Sequence, residues 1–209
     1  MPNNHDRVHP ERKNFADLFG PGDVPGLLTE GDMSAIRELC AMLPDSGLLV
    51  EIGCFLGKSS VEWARNLVTQ EKNYKILCID SFNSPEDILR DLLIKDDFVL
   101  PSHANTQLEM FKHYTADYPN IKPIQAFFNQ SFVFPANANL VFEDSTHTQD
   151  YLAYALPFWW QHIEVGGILS GHDYLMNEVQ VAVDLFAALN NLEVNTFDNS
   201  SIWYIKKHA

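Results

Sequence analysis

Five short apolar runs, separated by helical patterns, constrain this chain more than any other feature. They lie at residues 47–52 (GLLVEI), 75–80 (KILCID), 139–144 (NLVFED) and 166–170 (GGILS, with a reach to 172), with a weaker run at 121–125. Runs of this length with little polar alternation suit strands covered on both faces.

The intervening segments read as helices. Thr29 and Asp32 form a capping box ahead of Ile36, Leu39, Cys40 and Leu43, which recur at i, i+3, i+4 and i+7; Pro44 and Gly47 end that helix. Residues 59–68 carry Val61, Ala64 and Val68 on one face, and 177–189 carry Val179, Val183, Phe186 and Ala187. Residues 148–162 are also helical, with a kink or break expected at Pro157. The chain ends in strands at 192–197 and 202–205, joined by Asp198-Asn199-Ser200-Ser201. Repeated βα units predict a parallel sheet with helices on both faces, and so short a final connection predicts an antiparallel ending.

The expected architecture is therefore α/β: a Rossmann-like, doubly wound, mostly parallel seven-stranded sheet with an antiparallel C-terminal strand. One domain spans 29–209, and residues 1–28 form a mobile or loosely docked lead-in. Residues 81–120 exceed what one crossover helix requires. They are expected to hold one helix starting at Ser84-Pro85-Glu86 and another near 105–118, an insertion able to cap a substrate pocket.

Composition excludes several function classes. The net charge of −14, from 14 basic and 28 acidic side chains, opposes binding to a phosphate backbone, so no nucleic-acid partner is expected. No apolar run approaches the roughly 20 residues needed to cross a bilayer, so no membrane partner is expected. The N-terminus lacks a signal-peptide pattern, which points to the cytoplasm. Three cysteines outside any CxxC pair read as reduced core residues. Either a monomer or a homodimer is compatible with this composition.

Four segments carry candidate chemistry. Glu51-Ile52-Gly53-Cys54-Phe55-Leu56-Gly57-Lys58-Ser59-Ser60 joins the first strand to a helix, where a glycine turn lets a ligand approach the backbone and Glu51 can hold a charged group. An ordinary tight turn would look the same. Asp80 closes the next strand, where a carboxylate can accept ribose hydroxyls; capping the next helix is the plainer role. Together these favour a nucleoside cofactor without separating a dinucleotide from S-adenosylmethionine. Glu143-Asp144-Ser145-Thr146-His147 and Gly171-His172-Asp173-Tyr174 end the next two strands. Adjacent strand ends would gather Asp144, His147, His172 and Asp173 into a cluster offering oxygen ligands and an imidazole. Of Phe127, Phe128, Phe132 and Phe134, one is placed to stack on an adenine, with core packing the simpler role.

At these segments the chain resembles the class I S-adenosylmethionine-dependent methyltransferases, and within them the family called methyltransferase domain 24. LLVEIGCFLGKSS resembles that group's VEIGxxxGxSS, and LVFEDSTHTQD its LVFIDGDHSYE; Trp159-Trp160, Gly166-Gly167, GHDY and SSIWYIKK follow in order. The resemblance covers about residues 30–207. It implies that Glu51, Gly53, Cys54, Gly57 and Ser59 line the methionine part of S-adenosylmethionine. It further implies that Asp80 holds the ribose, with Ser81 and Asp144 also on the cofactor. The chain is also similar to metal-dependent small-molecule O-methyltransferases of the macrocin type. That similarity implies magnesium or another divalent ion at Asp144, His172 and Asp173, with His147 as base.

The reaction so implied is O-methylation of a small-molecule acceptor. Two rivals make different predictions. A nicotinamide oxidoreductase predicts GxGxxG after the first strand and a parallel C-terminal arrangement. A cofactor-binding domain without catalysis predicts a scattered or plugged Asp144, His147 and Asp173 cluster.

Overall fold

In the computed structural model, residues 24–84, 106–129 and 132–208 are described here. Helix α1 (Glu30–Met42) precedes β1 (Ser46–Ile52), α2 (Lys58–Thr69) and β2 (Asn73–Asp80). Then come α3 (Gln107–Tyr114), β3 (Ile121–Gln125), β4 (Ala138–Glu143), α4 (Gln149–Gln161) and β5 (Ile163–Gly171). The chain closes with α5 (Asn177–Leu189), β6 (Asn195–Thr196) and β7 (Trp203–Lys206).

Among the described residues the seven strands form one sheet, ordered β3-β2-β1-β4-β5-β7-β6. The first five run parallel, and β7 pairs antiparallel with both β5 and β6. The strand order reverses between β1 and β4, and the connections leaving these two strands pass to opposite faces of the sheet, which opens a crevice beyond their ends. This is the doubly wound, antiparallel-ended sheet expected from the runs.

Two apolar layers flank the sheet. One joins α1 and α2 to it through Ile36, Leu39, Trp63, Tyr74 and Phe142. The other joins α4 and α5 through Trp159, Phe186, Trp203 and Phe128. Trp159 is fully buried in this layer, and Trp160 packs against it half-buried. All three cysteines are free and buried.

Local departures have local causes. Helix α4 runs unbroken through Pro157, where a kink or break was expected. Pro157 and Ala153, whose carbonyl loses its donor, both lie on the exposed side of that helix, where water can replace the bond. Pro123 is tolerated in β3 because β3 is an edge strand. β5 starts earlier than the apolar run suggests. Its register against β4 shifts between Ala138 and Leu140, and Gly166 there adopts φ +87.

Residues 24–28 are docked, with Val24 and Leu28 buried. Capping boxes at Thr29 and Thr106 open α1 and α3. The rest of the expected lead-in, and the expected helix starting near Ser84, lie outside the described residues. No described helix is long and apolar enough to cross a membrane.

Candidate active site

The carboxyl ends of β1, β2, β4 and β5 line two adjoining clefts. The first, of about 400 Å³, is bounded by Gly53, Phe55, Asp80, Ser81, Phe127, Phe128, Asp144, Ser145 and Tyr151 among others. The second, of about 200 Å³, lies between residues 25–28 and Gly53, Cys54, Phe55, Ser59, Asp144, His147, His172 and Asp173. Gly53, Phe55 and Asp144 belong to both, so the clefts meet at the β1–β4 crevice.

The turn after β1 is held from below. Gly53 and Gly57 have φ +83 and +96. A Cβ on Gly53 would stand 2.2 Å from the Asp144 carbonyl oxygen, so the approach that demands glycine here is that of β4's own end. Phe55 and Phe82 also adopt left-handed φ values of 47 and 49, costly for aromatic residues. Asp80 holds both in place. Its Oδ2 accepts the N–H of Cys54 at 2.8 Å and of Phe55 at 2.9 Å, and its Oδ1 accepts that of Phe82 at 2.6 Å. A carboxylate offers about four acceptor positions. Three are therefore used by the backbone, and one is left open toward the first cleft.

Glu51 departs from expectation. It is fully buried and lines neither cleft. Its Oε2 accepts the Ser60 hydroxyl, with Cys78 Sγ 3.6 Å away, while Oε1 has no hydrogen-bond partner. Burial pushes its carboxyl up to about 7. Helix α2 covers β1 at this point, so Glu51 is not available to a ligand. Gly57 likewise lies outside both clefts, its φ serving the start of α2.

The acid–histidine cluster is assembled as the strand ends suggest. His147 Nε2 is 3.0 Å from Asp173 Oδ2 and 4.0 Å from Asp144 Oδ1. One ligand atom each from Asp144, His147 and Asp173 lies within 4.8 Å of the others. His147 Nε2 is buried against these carboxylates without a well-aligned hydrogen bond. Contact with Asp144 and then with Asp173, against the opposing effect of burial, raises the His147 imidazole to about 10. His147 is thus protonated at neutral pH and can act as a base only after losing that proton.

Burial raises Asp144, whereas hydrogen bonding to His147 and His172 overcomes burial to lower Asp173. His172 is 5% exposed and faces two ways. Its Nδ1 lies 3.4 Å from Asp173 Oδ2 and 3.7 Å from Asp144 Oδ1, and its Nε2 contacts Asp32 and Ser201. The triad able to share a cation is therefore Asp144, His147 and Asp173, with His172 standing behind it.

Sequence reasoning missed several neighbours. Glu143 Oε1 accepts the Ser145 hydroxyl at 2.5 Å, and Ser145 Oγ lies 2.7 Å from Tyr151 Oη. Burial raises the Glu143 carboxyl to about 7. Phe127 is 71% exposed on the first cleft, while Phe128 and Phe134 are buried in the core. Asp32 showed only its capping pattern, because its other partners lie far along the chain.

These ends of strands, with their glycine turn and closing acids, match a family model described as a methyltransferase domain, Methyltransf_24, over residues 50–174. The chain belongs to this methyltransferase family. Its members' fold is that of the class I S-adenosylmethionine-dependent methyltransferases. Solved structures share that fold. A precorrin-6y C5,15-methyltransferase from Geobacter metallireducens is 14% identical with a TM-score of 0.59, covering 90% of this chain and 92% of its own. The O-methyltransferase TomG from Streptomyces achromogenes, in complex with SAM, is 11% identical with a TM-score of 0.55, covering 88% and 82%. An rRNA methylase from Streptococcus thermophilus is 13% identical with a TM-score of 0.57, covering 88% and 100%. No curated protein sequence matches the chain.

Proposed function

We propose that this methyltransferase transfers a methyl group from S-adenosylmethionine to the hydroxyl oxygen of a small molecule. The observation that carries the reading is the junction of the two clefts at Gly53, Phe55 and Asp144. A nucleoside in the first cleft places its sulfur end beside the acids and histidine of the second.

When bound, S-adenosylmethionine supplies an electrophilic methyl group, and a divalent cation supplies charge that lowers the pKa of an acceptor hydroxyl. The protein's own residues do the positioning. Asp80 has one acceptor position for a ribose hydroxyl, and the exposed Phe127 offers a face for the adenine. Cys54 and Ser59 line the methionine side. The donor set of Asp144, His147 and Asp173 suits a cation, which would take His147 Nε2 in place of the proton that it otherwise holds. The segment 25–28 roofs the acceptor and limits water. As the new O–CH₃ bond forms and the S–CH₃ bond breaks, the hydroxyl proton passes to a neighbouring acid or to solvent.

The second cleft, at about 200 Å³, also takes the methionine end of the cofactor, which favours a small acceptor. The net charge of −14 works against a polynucleotide acceptor. The alternative of binding without catalysis would leave Asp144, His147 and Asp173 scattered, whereas they converge. A thermal-shift panel tests the cofactor. S-adenosylhomocysteine at about 100 times its dissociation constant should add roughly 2.7 kcal/mol, and NAD should add nothing. Stabilisation by NAD alone would overturn the reading. A hydroxyl-compound screen that records S-adenosylhomocysteine release then identifies the acceptor.

A further inference from the structure

We propose that Asp32, on helix α1 outside the sheet, is a positioning residue for the acid–histidine cluster and acts through His172. The assignment rests on the function proposed above and adds a residue to it.

Asp32 has more partners than its capping role needs. Its Oδ2 accepts the Thr29 N–H at 2.9 Å and its own N–H donates to the Thr29 hydroxyl at 3.2 Å, which completes the capping box, and that hydroxyl also donates to Oδ2 at 2.7 Å. Such acids normally sit in solvent, yet Asp32 is 1% exposed. Its Oδ1 accepts the Ser200 hydroxyl at 2.8 Å and the Ser201 N–H at 3.0 Å. Its Oδ2 also stands 3.2 Å from His172 Nε2. An exposed cap returns less than the cost of burying a carboxylate, so the cap alone does not account for the burial.

The consequence lies at the other side of the ring. Ser201 Oγ is 2.8 Å from the same Nε2, so two partners grip that nitrogen. Carboxylates stand on both sides of the ring, so Nε2 donates toward Asp32 and Ser201, and this grip fixes how the ring faces. Nδ1 then points at Asp173 and Asp144, 3.4 and 3.7 Å away. Turning the ring would cost it both Asp32 and Ser201, so the ring is a fixed wedge behind the two acids. The same helix follows residues 25–28, which roof the second cleft. Asp32 thereby ties the roof of the acceptor side to its floor.

The test uses the full chain with ¹⁵N-labelled histidine and compares wild type, Asp32→Asn and Thr29→Ala. The His172 ring signals are assigned by their loss in His172→Asn. In wild type, Nε2 should carry a proton in a hydrogen bond. Asp32→Asn should shift the His172 signals and lower turnover about tenfold, while affinity for S-adenosylhomocysteine holds within about twofold. Thr29→Ala weakens the cap and lowers Tm, but should leave the His172 signals and turnover unchanged. A wild-type Nε2 without a proton would overturn the assignment, and this result stands even if Asp32→Asn fails to fold. Unchanged signals in Asp32→Asn, or equal effects from Thr29→Ala, would overturn it as well. Wild type without affinity for S-adenosylhomocysteine would instead sink the methyltransferase reading.

Discussion

The Oδ2 of Asp80 accepts the N–H of Phe55 at 2.9 Å while Phe55 sits at φ 47. One carboxylate thus restrains an aromatic residue in a conformation it would not choose, and it does the same for Phe82. Asp80→Ala removes the acceptor for three N–H groups and frees both residues to relax. The expected loss is roughly 2–4 kcal/mol of stability, together with weaker binding of S-adenosylhomocysteine. Urea denaturation and calorimetry check this, and an unchanged midpoint would show that the turn holds itself.

The triad of Asp144, His147 and Asp173 makes a separate prediction about metal. Chelation should suppress turnover, and His147→Ala should weaken divalent-ion binding by about tenfold or more. Excess ion should restore activity to that variant if His147 is a ligand. If His147 is the proton acceptor, added ion restores nothing. Full turnover after chelation would remove the metal from the reaction.

Glu51 predicts how stability depends on pH. Its carboxyl is raised from 4.5 to about 7 in the folded chain, first by burial, so the folded state binds that proton more tightly than the unfolded state. The contribution of Glu51 to stability is therefore complete below pH 4.5 and is lost as pH rises through 7. Glu51→Gln keeps the shape without the titration. The stability difference between variant and wild type should turn in favour of the variant with rising pH, by up to roughly 3 kcal/mol above pH 7. Chemical denaturation at pH 5 and pH 8 measures it, and a difference that does not change with pH would refute it.

Pro157 yields a prediction of the opposite kind. It stands mid-helix on the exposed side of α4 and costs a backbone hydrogen bond. Pro157→Ala should raise stability by about 1–3 kcal/mol. A lower Tm would mean that the proline's rigidity in the unfolded chain outweighs the missing bond.

The sheet was legible because its strands are buried on both faces, so GLLVEI, KILCID and NLVFED each stand out as apolar runs. The capping box at Thr29 was equally plain, being local. Pro157 does not break the helix, because its cost depends on which side of the helix meets water. The roles of Glu51 and Asp32 were hidden for related reasons. A strand-end acid looks the same whether it faces a cleft or a covering helix. The partners of Asp32 at His172 and Ser201 are brought to it only by the folded chain. Asp80 stood out as a strand-end acid, but its three backbone bonds follow from the left-handed residues, which no pattern of residue types announces.

Gly53 has a consequence for how this protein can change. Its Cα hydrogen faces the Asp144 carbonyl, and any side chain there would push the end of β4 aside. The two clefts are welded along that seam, so neither can be enlarged from the middle without deforming the other. Adaptation to new acceptors is left to the periphery, where residues 25–28 form a wall from outside the sheet. A library aimed at altered acceptor choice should vary those roof positions and leave the seam alone.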